Sequence, residues 1–211
     1  MDPSEIAVAT FNKYAYQYQN KYNDVSLYAE ELNDFCARLP TENPEILELA
    51  CGPGNLSRYV INKNSSIKLL GTDLAPKMLQ LAKDNNPTAS FLKMDCRTMK
   101  QLNRKFNGVL CGFALPYLSK EESIKLIADA AEMLYPTGVI FISTMEDDYQ
   151  KSGLSISSTG DQLFIYYHEK NYLVKAMEEN GFNDIKFTRK QYEIAGVATT
   201  DLILIGTLKE Q

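Results

Sequence analysis

Tryptophan is missing from this 211-residue chain, and histidine occurs once, as His168. One imidazole rules out a multi-histidine metal centre. The four cysteines, Cys36, Cys51, Cys96 and Cys111, stand far apart and form no C-x-x-C pair, which argues against both a zinc site and a disulfide framework. No apolar run approaches the roughly 20 residues that span a bilayer. The opening Met1-Asp2-Pro3-Ser4-Glu5 lacks the basic start and apolar middle of a signal peptide. A cytoplasmic location without a membrane partner is therefore expected. Lysine and arginine number 22 against 27 acids, a formal charge of −5, with no long basic run or aromatic-basic stripe. Such a balance offers nothing to a phosphate backbone, and nucleic acid is not an expected partner.

The most informative stretch is Ile46-Leu47-Glu48-Leu49-Ala50-Cys51-Gly52-Pro53-Gly54-Asn55. It reads as a buried strand ending in a glycine turn that opens a helix, and its free N–H groups point at a ligand's polar end. Nineteen residues after Gly54 a second apolar run ends on Asp73. A carboxylate there can accept hydrogen bonds from both hydroxyls of a ribose. Together these features describe a nucleoside-cofactor domain. The third glycine of the dinucleotide fingerprint is absent, because Ser57 stands in its place.

Strand and helix alternate through the middle. Strands fit 45–50, 66–72, 89–94, 108–112 and 138–144, with helices beginning near Asn55, Pro76, Thr98 and Lys120. Pro76 suits a first helical position, and Ser119 with Glu122 forms a capping box. The alternation predicts an α/β fold, a parallel sheet with helices on both faces. Before it, Phe11, Tyr14, Ala15, Tyr18 and Tyr22 recur at helical spacing, and a second pattern runs from Val25 to Leu39. Two N-terminal helices are therefore expected over residues 1–40. After it, Glu146 to Asp161 is polar and reads as a mobile loop. A helix from about Glu169 is expected to stop at Gly181. The segments 184–192 and 200–208, with no helix between them, form an antiparallel pair.

With Glu48, Gly52 and Gly54, then Asp73, Asp95-Cys96 and Leu134-Tyr135-Pro136-Thr137-Gly138 in this order, the chain resembles the class I S-adenosylmethionine-dependent methyltransferases. The resemblance covers nearly all of it. It implies one domain, 1–211, with an N-terminal helical cover over 1–40 and a Rossmann-like core over 45–211 carrying a loop or insert at 146–167. The implied fold is a doubly wound seven-stranded sheet, mostly parallel, whose antiparallel last strand inserts beside the fifth. The implied cofactor is S-adenosylmethionine.

Residue by residue, the resemblance implies that Ala50, Cys51, Gly52 and Gly54 wrap the methionine portion, with the helix at Asn55 facing its carboxylate. Glu48 would organise the ammonium group; the alternative is an acid that only holds the glycine turn. Asp73 would bind the ribose hydroxyls. Leu74 and Met78 would wall the adenine, although Met78 also has core spacing. Asp95 would accept from the adenine amino group beside Cys96, or else cap the next helix. Gly112 and Phe113 would lie beneath the transferable methyl, and Tyr18 would cover the cofactor. Leu115-Pro116-Tyr117 departs from the D/N-P-P-Y motif of amino-methylating enzymes, because Ala114 and Leu115 replace its polar start. This points to small-molecule acceptors. Tyr117 and His168 are the candidate catalytic residues, with Tyr14 a further candidate for the acceptor site; for His168 a packing role competes. Cys51, Cys96 and Cys111 end three strands and are expected to rim one pocket, as small apolar fillers rather than redox groups. The acids Glu146, Asp147 and Asp148 lack a partner acid after the fourth strand, so no metal is expected. Two other functions stay open, a non-catalytic S-adenosylmethionine-binding regulatory domain and a nicotinamide-dependent oxidoreductase.

Overall fold

The computed structural model describes residues 3–156, 160–194 and 196–210. Three helices lead in: α1 (Pro3–Lys13), α2 (Ala15–Tyr22) and α3 (Ala29–Arg38). The core then runs β1 (Glu45–Leu49), α4 (Asn55–Lys63), β2 (Lys68–Asp73), α5 (Pro76–Asn85), β3 (Ser90–Lys93), β4 (Phe106–Gly112), α6 (Lys120–Met133) and β5 (Leu134–Met145). A hairpin of β6 (Gly153–Ile156) and β7 (Gln162–Ile165) precedes α7 (Lys170–Glu179), β8 (Phe182–Ile194) and β9 (Val197–Leu208).

The seven-stranded sheet has the order β3-β2-β1-β4-β5-β9-β8. β1 to β5 are parallel, and β9 slots antiparallel between β5 and β8. The expected reversed last strand beside the fifth is therefore present. Its rungs alternate in facing, as a pleated strand requires. Leu47, Leu49, Val109, Ile140 and Ile142 pack towards α6 and α7. Ile46, Leu110, Phe141 and Ile203 pack towards α3 and α4. Both faces are buried, which is why these strands read as continuous apolar runs. The chain leaves β1 towards β3 on one side and returns to β4 on the other. That reversal opens a crevice at the carboxyl ends of β1 and β4.

Three expectations need correction. The N-terminal cover is not two helices: a break at Tyr14 (φ −109°, ψ 23°) divides the first of them. The break lets α1 reach both α5 and β7, while Lys13 pairs with Asp161 at 3.2 Å. The helix expected near Thr98 is a 3₁₀ segment, Cys96–Leu102, interrupted at Thr98 itself (φ −112°, ψ 18°). The loop expected over 146–161 contains a 3₁₀ turn and β6, which pairs with β7 through Gly153–Ile165 and Ile156–Gln162. Residues 157–159 of that stretch lie outside the described residues. No helix among the described residues is long and apolar enough to cross a membrane.

Candidate functional site

The loop after β1 is shaped by backbone rather than by side chains. Ala50, Gly52 and Gly54 all take left-handed conformations (φ +49°, +53° and +78°). At Ala50 this is costly for a residue with a Cβ, and such strain concentrates where a loop must present its backbone. The loop hangs from β2: the Cys51 N–H donates to the Thr72 carbonyl at 2.8 Å, and Thr72 Oγ1 donates to the Glu48 carbonyl at 3.1 Å. Gly54 closes it onto α5. A Cβ on Gly54 would stand 2.4 Å from Asn86 Nδ2, which itself donates to the Gly54 carbonyl at 3.0 Å.

Asp73, at the end of β2, is fixed across this loop. Its Oδ2 accepts the Gly52 N–H at 2.9 Å and its Oδ1 accepts the Ala75 N–H at 2.8 Å. Each oxygen keeps lone-pair capacity for a second donor. Burial raises its pKa above the usual carboxylate range, against the opposing pull of these backbone N–H groups. Glu48 lies deeper. Burial, with a smaller push from the Asp73 charge, lifts it to about 8 despite the hydrogen bond from Ser57 Oγ.

Two cavities adjoin at the crevice. The first, about 110 Å³, is lined by Asp73, Leu74 and Met78 after β2, and by Asp95 and Cys96 after β3. The second, about 230 Å³, takes in Glu48, Cys51 and Asn55. Tyr18, Ala50, Gly52, Gly112, Phe113 and Tyr117 belong to both linings and form the wall between them. Tyr18 lies over Gly52, whose absent Cβ would sit 3.9 Å from its ring. At Gly112 a Cβ would collide with Leu56 Cδ1 at 2.3 Å, and the next residue, Phe113, is left-handed at φ +55°. Asn55 donates through Nδ2 to the Tyr22 carbonyl at 2.7 Å, while its buried Oδ1 has no partner in the protein.

Several expected site residues fall elsewhere. Gly54 lines neither cavity and serves the loop's closure on α5. Tyr14 also lines neither. His168 is fully buried behind the Leu115–Tyr117 turn, outside both linings. Its Nε2 bonds the Leu115 carbonyl at 2.8 Å and its Nδ1 the Tyr172 hydroxyl, so both ring nitrogens are engaged. Desolvation pushes its pKa down to about 4. His168 is thus a neutral packing residue, and the catalytic expectation is corrected.

Cys111 is wholly buried in the core rather than at the pocket rim, while Cys51 and Cys96 do face the cavities. Burial lifts the Cys96 thiol to about 12, and it raises Cys51 well above normal, so neither is a reactive thiolate. The Asp95 carboxylate is engaged by Arg97: it caps the backbone N–H at 2.9 Å and meets the guanidinium at 2.6 Å. Arg97 continues to Glu122 at 3.0 Å.

Sequence reasoning missed contributions from both ends of the chain. Ser4, Ala7, Val8 and Phe11 of α1 line the first cavity, and Arg97 joins them. Asp24, Tyr192, Thr199 and Asp201 line the second, beside Tyr28 from the expected helical cover. Only Val8 and Phe11 carried a signal, their place on an apolar helix face. The β9 acid carried none, because an acid in a strand otherwise reads as a solvated position.

A family model described as "Methyltransferase domain" matches residues 46–138. It spans the β1 loop, Asp73 and β4, the segments that build the crevice. The match supports a class I S-adenosylmethionine-dependent methyltransferase domain over these residues. Among curated members, a trans-aconitate 2-methyltransferase of Variovorax paradoxus is 30% identical over 110 residues, 52% of this chain and 42% of that protein. The Escherichia coli K12 enzyme of the same name is 26% identical over 117 residues, 55% of this chain and 45% of that protein. This chain thus matches less than half the length of these two relatives. Among solved structures, magnesium protoporphyrin IX methyltransferase from Synechocystis, with bound S-adenosylmethionine, superposes with TM-score 0.72 at 17% identity. That match covers 99% of this chain and 98% of the other. A methyltransferase from Clostridium acetobutylicum gives 0.71 at 15% identity, covering 95% and 99%. At such identities the likeness establishes the fold of a class I methyltransferase.

Proposed function

We propose that this chain, as one domain over 1–211, binds S-adenosylmethionine with its adenosine in the first cavity and its amino-acid end at the Glu48 and Asn55 side of the second, and methylates a small molecule held in the remainder of the second. The observation that carries this reading is Asp73, pinned by two backbone N–H groups, half-buried, and facing the first cavity with acceptor capacity to spare. That pair of acceptor oxygens fits a ribose, whose two hydroxyls donate to one carboxylate. When bound, the cofactor supplies a methyl group already activated by its sulfonium.

The protein's own residues align the partners and exclude water, which supplies much of the rate in such a transfer. Gly52 brings backbone close at a left-handed turn without a side chain in the way. Leu74 and Met78 offer an apolar wall to a planar base. Glu48 and the unpartnered Asn55 Oδ1 are the acceptors placed for an ammonium group. Gly112 and Phe113 divide the cavities and place an acceptor beside the methyl donor. Tyr117 shares that wall, and burial raises its pKa, so its hydroxyl stays a hydrogen-bond donor rather than a base. The trans-aconitate of the curated relatives does not carry over: it is a tricarboxylate, whereas the carboxylates of Asp24 and Asp201 line the second cavity. A cytoplasmic location completes the reading.

Calorimetric titration with S-adenosylhomocysteine tests it. Micromolar binding is expected, weakened at least tenfold by Asp73→Ala, about 1.4 kcal/mol or more. NAD is expected not to bind. Binding of NAD alone would overturn the reading in favour of an oxidoreductase.

A further inference from the structure

The charged side chains that line the second cavity are acids. Asp24 and Asp201 face it, along with five tyrosines and the Glu48 carboxyl, which burial keeps largely protonated at neutral pH, and no lysine, arginine or histidine is found among its described lining residues. Asp201 is its least satisfied member. It sits on β9, opposite Met145 of β5 and Lys190 of β8, and is fully buried. Its Oδ2 accepts the hydroxyls of Tyr28 at 2.6 Å and Tyr192 at 2.9 Å. Its Oδ1 is buried with no partner in the protein. Buried carboxylate oxygens are normally paired, so one left open on a cavity wall calls for a donor from a ligand.

The tyrosines add to that demand. Tyr28 and Tyr192 spend their protons on Asp201, so what remains for a ligand is lone pairs and ring faces. Phe113 packs against Tyr28 with ring centroids 5.6 Å apart, extending the aromatic wall to the partition between the cavities. Ring faces and carboxylates together attract cations and repel anions.

We propose that this cavity recognises a small organic cation, an amine protonated at neutral pH, whose N–H groups meet Asp201 Oδ1 and whose charge lies among the tyrosine rings. Naming that amine the methyl acceptor rests on the function proposed above and requires it first to give a proton to the Asp201 carboxylate, so that its free lone pair forms the N–C bond as the methyl–sulfur bond breaks; the recognition itself rests on the cavity.

The test is calorimetric titration of the full chain, with and without S-adenosylhomocysteine. The probes are the amines tyramine, agmatine and putrescine, and the anions 3-(4-hydroxyphenyl)propanoate and trans-aconitate. At least one amine is expected to bind tenfold or more tightly than either anion. Asp201→Asn is expected to weaken that amine at least tenfold, and Tyr192→Phe severalfold. Should Asp201→Asn lose its cooperative melting, Tyr192→Phe and Asp24→Asn carry the test. Equal or tighter binding of an anion, no binding by any amine, or amine binding unmoved by the substitutions would each overturn the proposal. Amine binding without any S-adenosylhomocysteine binding would uphold the cation site and overturn the methyltransferase reading instead.

Discussion

Glu48 shows how one residue's burial becomes a property of the whole protein. In the folded chain its carboxyl titrates near 8, because burial withholds water from the charge. In the unfolded chain it titrates near the ordinary value of 4.5. Between those values the folded state holds a proton that the unfolded state has released. The stability this provides is complete below about pH 4.5, falls as pH rises and is lost above about 8. Asp73 and Asp201, both raised by burial, act with the same sign. Glu48→Gln should therefore flatten the decline in melting temperature between pH 5 and 8 and raise it at pH 8. Parallel profiles for the two proteins would show that the carboxyl does not titrate in this window. His168, by contrast, is lowered and paired at both nitrogens, so His168→Asn should affect stability rather than the pH profile of turnover.

At the scale of an element, the β1 loop and α5 form one closure. Gly54 sits at φ +78° and leaves no room for a Cβ before Asn86. Gly54→Ala combines a left-handed penalty with overpacking and should cost about 3 kcal/mol, read by chemical denaturation. A loss under 1 kcal/mol would mean that α5 yields easily. The acids after β5 are likewise paired within the protein. Glu146 meets Arg189 at 2.8 Å, and Asp147 meets Lys151 at 2.8 Å. With Cys111 rather than an acid near the end of β4, no metal requirement is expected of this loop. Methyl transfer should continue in EDTA, and activity abolished by chelation and restored by magnesium would contradict that.

Across the whole molecule, the cysteines report which surfaces a ligand covers. Cys51 and Cys96 line the crevice, whereas Cys111 lies in the core. Alkylation of Cys51 and Cys96, slow at neutral pH and therefore followed at raised pH, should be slowed further by S-adenosylhomocysteine, with Cys111 unreactive whether or not ligand is present. Equal labelling of Cys51 and Cys96 in both states would place the ligand elsewhere. The fold that separates these thiols was largely legible in advance. Period-2 and period-3.6 patterns report burial directly, and the parallel sheet buries both of its faces. The places where reading failed are those where a local pattern has more than one tertiary outcome. Tyr14 continues a helical stripe yet breaks the helix, because α1 finds more to cover on α5 and β7 than a straight helix could reach. The polar stretch after Glu146 looked like a loop, and its pairing with β7 depends on strands folding together.

By itself, the sequence determined the glycine turn, Asp73 at the end of β2, the capping box and the alternation of strand and helix. Each is a local demand: a left-handed backbone, an unpaired helix start, an apolar face. Only the tertiary structure decided that His168 is packed away, that Arg97 occupies Asp95, and that Asp201 meets Tyr28 from the other end of the chain. Those outcomes depend on which surfaces the folded sheet brings within hydrogen-bonding distance. No spacing along the chain records a contact between residues 28 and 201.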